Sequence, residues 1–164
     1  VQTFLPYRDF RRSALVLDRR RLGKQRVEAL QVFRALTVPG YGWQSHPAVR
    51  MWAGYEEALV RYGLEVCRVW QEQGRPDTCA DSLTAEYAAF RPDAPQARVQ
   101  KALAEAAELP PWLGNAAFHR SHRSALLRKD PQEYAERFPG VPDDIPYLWP
   151  GSDRDPKRNG STGP

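Results

Sequence analysis

Apolar residues recur every three or four positions in two stretches of the chain. Leu22, Ala29, Phe33 and Leu36 share one face of a helical wheel, and Val49, Trp52, Tyr55, Leu59, Tyr62, Val66 and Trp70 form a longer stripe. This is the spacing of core-facing helices. The first stretch predicts a helix from Arg19 to about Leu36, capped by Asp18 and broken by "TVPGYG". The second predicts a single long amphipathic helix. It starts at Pro47, where a first-turn proline is tolerated, and stops at Gly74. Arg50, Glu57, Arg61, Glu65 and Arg68 take its polar side, and the tryptophans at 52 and 70 make it the expected spine of the core.

The remaining segments are read with the same rules. Val1 to Leu5 reads as extended, and Asp9 caps a short helix through Leu17. "DSLTAEYAAF" suits a short helix, and "APQARVQKALAEAAEL" is rich in helix formers up to Pro110-Pro111. A further helix runs from about Asn115 to Lys129. Asp130, Pro131 and Glu133 then supply a cap, a first-turn proline and a capping box for a last short helix. "VPDDIPYLWP" reads as extended along the surface with Tyr147 and Trp149 docked, and the polar residues 151–164 read as a disordered tail. No repeat and no strand-rich region is evident. The predicted fold class is mostly α: a compact single-domain helical bundle, residues 1–150, around one long amphipathic helix, with an extended C-terminal segment.

Composition narrows the function less than the pattern narrows the fold. The chain's 164 residues are enough for a real core. A formal net charge of +4 is a modest excess, so local clustering of cations matters more than the total. Cys67 and Cys79 lack metal-site spacing and read as reduced thiols, Cys67 as a buried inert one. No apolar run reaches signal-peptide or membrane-spanning length, which predicts a cytoplasmic protein without a membrane partner. Walker, Rossmann and G-x-S-x-G patterns are absent.

Three clusters carry candidate chemistry. In "LDRRRLGKQRVEALQ", Arg21, Lys24, Gln25 and Glu28 fall on a face that adjoins the apolar stripe. Glu28 among these cations is expected to ionise readily, to stabilise a developing positive charge or to handle a proton. The same spacing also fits a solvated face of i,i+3 and i,i+4 ion pairs. In "GYGWQSHPAVRMW", His46 precedes a helix start and Arg50 lies one turn in, an arrangement suited to a phosphate. Tyr41 and Trp43 offer flat surfaces to bases, unless they simply pack inward. In "FHRSHRSALLRKD", His119, Arg120, His122, Arg123, Arg128 and Lys129 alternate with serines, the groups that contact phosphates. A metal at His119 and His122 finds no third ligand at a known spacing.

"LDRRRLGKQRVEAL" followed by "GYGWQSHPAVRMWAGYEEALVRYGLEVCRVWQEQG" resembles the pyrimidine-dimer DNA glycosylase family of the phage endonuclease V type. The order and spacing match over roughly the first 75 residues. "AAFHRSHRSALLRKDPQEY" and "YLWP" are similar to a bacterial branch of that family whose activity is uncertain. The resemblance implies a compact α-helical protein that extrudes a nucleotide from double-stranded DNA and cuts a glycosidic bond. The N-terminal α-amine, here Val1, is the implied nucleophile, forming an imine at the sugar before strand cleavage by β-elimination. A terminal amine, partly neutral near pH 7, suits that task.

The resemblance also implies a supporting glutamate, phosphate-gripping basic residues, and no metal or organic cofactor. Arg26 matches the family's arginine, and His46, Arg50 and Trp52 match the turn and the helix start after it. Glu28 is the candidate glutamate. An ungapped match through Leu22, Gly23 and Arg26 puts Val27 at the glutamate's position, and one residue is about 100° of helical rotation. The expected function is therefore a DNA-repair glycosylase with abasic-site lyase activity on damaged or modified pyrimidines, acting as a monomer. A non-catalytic DNA-binding protein on the same scaffold and a nucleotide-processing enzyme are the alternatives. The expected site comprises Val1 and Glu28 for chemistry. Arg21, Lys24, Gln25, Arg26, His46, Arg50, His119, Arg120, His122, Arg123, Arg128 and Lys129 are expected to contact DNA, with Tyr41, Trp43 or Trp52 lining a base pocket.

Overall fold

Short polar side chains set four of the helix starts. Asp9 accepts from the Arg12 N–H, Asp18 from Arg21, Asn115 from Phe118 and Asp130 from Glu133. Each bond satisfies a donor that has no partner inside its helix. The helices that follow these caps are α1 (Phe10–Leu15), α2 (Arg19–Thr37), α7 (Ala116–Lys129) and α8 (Pro131–Tyr134). Between them lie α3 (Pro47–Arg50), α4 (Glu56–Glu72), α5 (Cys79–Phe90) and α6 (Gln100–Glu105). The computed structural model describes residues 1–150. The tail expected at 151–164 lies outside the described residues. No strand occurs among the described residues, so the mostly α expectation holds.

The long helix expected from Pro47 to Gly74 is two helices. Gly54, at φ +87°, breaks it between α3 and α4. The apolar stripe survives the break, with Val49, Trp52, Leu59, Tyr62 and Val66 all buried. Periodicity therefore identified the buried face but not the bend within it. The helix-forming stretch before Pro110 is also shorter than its composition suggests. α6 ends at Glu105 because Ala107 takes a left-handed conformation, and the Glu108 N–H closes back on the Leu103 carbonyl at 2.9 Å. At α8 the cap and the first-turn proline form, but Glu133 pairs with Arg137 and does not reach back to complete the box.

α4 packs against α1, α2 and α5. Gly63 sets how closely they approach: a Cβ there would lie 2.7 Å from Leu83 Cδ1 and 3.1 Å from Ala29 Cβ. A series of rings, Phe10, Tyr62, Trp52, Trp112 and Phe118, crosses the core and joins α1 and α4 to α7, with Tyr62 stacked on Trp52 and the other neighbours meeting edge to face. Cys67 and Cys79 are free and buried, and burial raises the Cys67 thiol well above its ordinary range. No helix among the described residues is long and apolar enough to cross a membrane.

The N-terminal segment threads into this core without a strand partner. Its backbone polar groups must therefore bond to side chains. Phe4 N–H donates to Gln25 Oε1 and Gln25 Nε2 donates to the Gln2 carbonyl. Leu5 N–H donates to His122 Nδ1, while the Leu5 carbonyl faces His119 Nδ1 at 2.8 Å. The Tyr62 hydroxyl donates to the Phe4 carbonyl and Arg123 to that of Pro6. Ser13 bonds both backbone groups of Tyr7. Trp52 Nε1 donates to Thr3 Oγ1. The buried polar residues of the bundle are largely those that serve this segment.

Candidate active site

Fixing Gln2 to Leu5 in the core delivers Val1 to a cleft of about 480 Å³. Arg20, Lys24 and Glu28 reach the same cleft from α2, where their four-residue spacing stacks them on one face. Arg21 lines it too, held by Asp18 and Asp130. His46 enters from the turn before α3 and Lys129 from the end of α7. Tyr147 and Trp149 form the remaining wall. Their segment is tied to α7 where Ser124 Oγ accepts the Ile145 N–H, Ser121 Oγ accepts that of Leu148, and Arg128 donates to the carbonyls of Asp143 and Ile145. Among the described residues that line this cationic cleft, Glu28 is the only carboxylate.

Burial dominates the electrostatics of Glu28. Its side chain is only 13 % exposed, and the loss of hydration raises its carboxyl above the ordinary range. Lys24, 3.9 Å away, the Val1 ammonium and Lys129 offset part of that rise. The expectation of an easily ionised glutamate is thereby corrected: neighbouring cations are present, but desolvation outweighs them. His46 is shifted down, first by burial and then by the Val1 charge. Its Nδ1 accepts the Ala48 N–H at 3.0 Å, which places the proton of the neutral ring on Nε2. Val1, one carboxyl raised by burial and one neutral imidazole thus share a cleft rimmed by cations.

The structure sets the two residues at the offset apart. Val27 is 43 % exposed and lies outside the cleft, whereas Glu28 turns into it.

Several residues expected to touch DNA do other work. Gln25, His119 and His122 are buried, bond to the N-terminal segment and are not among the residues lining this cleft. Arg26 pairs with the fully buried Asp77 carboxylate, which caps the start of α5, and stacks over Trp70. Arg128 is taken up by backbone carbonyls, and Arg123 by that of Pro6. Arg123 also lines a second cleft, with Tyr7, Arg8, Arg12 and Lys101. Arg50 and Arg120 are absent from the lining of the cleft that holds Val1 and Glu28, and Arg120 is exposed on α7. Among the expected aromatics, Trp52 is fully buried and Tyr41 packs on the core, so neither forms the wall that Tyr147 and Trp149 supply. Arg20 was missed, although its i,i+4 spacing to Lys24 signals the shared face. Among the described residues no group of three His, Cys, Asp or Glu side chains is arranged to hold a metal ion.

No curated protein and no solved structure gives a significant match to the chain. A family model described as pyrimidine dimer DNA glycosylase matches residues 1–83, which include Val1, Glu28 and His46 of the cleft. The chain belongs to the pyrimidine dimer DNA glycosylase family.

Proposed function

We propose that this protein is a DNA glycosylase with associated abasic-site lyase activity. Its substrate is a damaged or modified pyrimidine in double-stranded DNA, attacked by the α-amine of residue 1. The observation that carries the reading is the meeting of Val1, Glu28 and His46 in one cleft with Arg20, Lys24 and Lys129 around it.

The neutral amine attacks C1′ of the sugar. The bond from C1′ to the base breaks, and its electron pair leaves with the base, which takes up a proton. The nitrogen then loses its protons as the C1′–O4′ bond opens, O4′ is protonated, and a C1′ imine remains. Loss of a C2′ proton breaks the C3′–O bond and expels the 3′ phosphate. Water hydrolyses the imine and frees residue 1. Glu28 supports the cationic sugar, and its raised carboxyl suits the proton transfers at O4′ and C2′. His46, neutral and donating from Nε2, is placed to orient the sugar or its phosphate. Arg20, Lys24 and Lys129 hold the backbone, so affinity is salt-sensitive.

The test is borohydride trapping on a duplex with a single abasic site, using protein whose residue 1 is shown by mass spectrometry to carry a free amine. A covalent adduct on residue 1 is expected. An adduct on Lys24 would move the nucleophile, and duplex binding without any adduct would overturn the lyase reading.

A further inference from the structure

Trp43 differs from every other tryptophan in the chain. Trp52 and Trp112 are buried, Trp70 is stacked against Arg26 and Arg75, and Trp149 lines the cleft. Trp43 is 54 % exposed and is not among the residues lining the cleft. Its backbone sits at φ +69°, a left-handed conformation that a bulky L-residue rarely takes. Gly42, directly before it, takes no such angle, although glycine adopts it without cost. The strain therefore falls on the one residue of this pair that has a side chain to aim.

That side chain is also held. The His46 N–H closes the turn on the Trp43 carbonyl at 2.9 Å, and the two rings meet edge to face at 5.8 Å. His46 meets Trp149 in the same way at 5.9 Å, and Trp149 meets Tyr147 at 5.2 Å. The indole is thus an exposed flat group on a braced mount, at the outer end of an aromatic row that begins inside the cleft. Strain of this kind persists where the surrounding structure enforces it, commonly at functional positions.

We propose that Trp43 is a wedge that enters the base stack of the duplex beside the target nucleotide and fills the space vacated by an extruded base. The proposal rests on the reading of the neighbouring cleft as a glycosylase site. An apolar side chain inserted between base steps offsets the cost of unstacking them. Lys24, Arg20 and Lys129 would hold the backbone on the cleft side while the indole occupies the stack from the rim.

The experiment uses a duplex carrying a tetrahydrofuran abasic analogue, which cannot form an imine, with 2-aminopurine opposite it as a reporter of unstacking. Wild-type protein is expected to raise the reporter's fluorescence, Trp43→Ala to lose that rise, and Trp43→Phe to keep most of it. Trp43→Gly is expected to lose the rise as well while melting a few degrees higher, on the order of 2–4 °C, because the left-handed strain is relieved. A second arm traps the protein with borohydride on abasic DNA. Trp43→Ala should react normally with single-stranded DNA and about tenfold less with duplex, the scale of one lost base–aromatic stack. No fluorescence rise with the wild type, or a rise and duplex trapping within twofold of wild type in Trp43→Ala, overturns the wedge. A fluorescence rise without trapping on either DNA overturns the imine chemistry and leaves the wedge standing.

Discussion

Gln25 Oε1 lies 2.7 Å from the Phe4 backbone nitrogen, in a fully buried contact one helical turn from Glu28. With Gln25 Nε2 bonded to the Gln2 carbonyl at 2.6 Å, a single side chain fixes both the height and the direction at which residue 1 leaves the core. Gln25→Ala leaves a buried donor and an acceptor without partners. It is expected to lose about 2–3 kcal/mol of stability in urea titrations. Imine trapping is expected to fall further than the unfolded fraction explains, because the amine loses its seat.

Glu28→Gln is expected to abolish turnover, by at least a hundredfold on the scale of lost charge stabilisation, while duplex binding persists in gel-shift titrations. Full activity would remove Glu28 from the mechanism. Val27→Ala, one residue earlier and exposed, is expected to be silent in the same assays.

The same Glu28 substitution should change stability with a definite pH sign. Folding raises the carboxyl, so it disfavours the ionised form that prevails at neutral pH. The glutamine variant is therefore expected to melt above the wild type at pH 7. The gain should shrink as pH falls below the ordinary carboxyl range, where the wild-type group is protonated in both states. A gain that grew toward acid would contradict this assignment.

His122 supplies an opposite sign. Its ring is fully buried, and burial followed by the nearby His119 lowers it to about 3. The unfolded chain takes up that proton near pH 6.5, so stability is complete above this and falls as pH drops toward 3. The slope approaches about 1.4 kcal/mol per pH unit for one group, or about 2 kcal/mol by pH 5. His122→Asn, which can retain an acceptor for the Leu5 N–H, should flatten the pH dependence of the urea midpoint.

Salt titrations of duplex binding should sort the cations. Lys24→Gln and Lys129→Gln are each expected to weaken binding and to lower the log–log salt slope by about one. Arg26→Gln should leave the slope unchanged and cost about 3 kcal/mol in stability, since it strands the buried Asp77 carboxylate. Arg128→Gln should also leave the slope unchanged while loosening the segment that carries Tyr147 and Trp149.

Helix starts were legible because capping is local: Asp9, Asp18, Asn115 and Asp130 each act within three residues. The buried faces of α2 and α4 were legible for the same reason. The roles on α7 were not. Histidines and serines among arginines look like a solvated or phosphate-facing helix, and nothing near them in sequence announces that an extended segment more than a hundred residues away needs their hydrogen bonds. The depth of Glu28 was hidden likewise. Its charged neighbours can be read from the sequence, but the burial that outweighs them is a product of the whole fold.

The grip of α7 on Leu5 joins residues 117 and 114 positions apart, and Tyr134 reaches Asp18 across 116. Residue 1 therefore leaves the ribosome long before the parts that seat it. Until α7 has been made, the Leu5 amide and carbonyl lack their histidine partners, and the cleft lacks Lys129 and the wall of Tyr147 and Trp149. Because such distant contacts form late and close large loops, the last turns of the bundle act as the latch on its chemistry. A nascent chain stalled before Ala116 holds the whole stretch that the family model matches, yet lacks the two histidines that hold Leu5 in place.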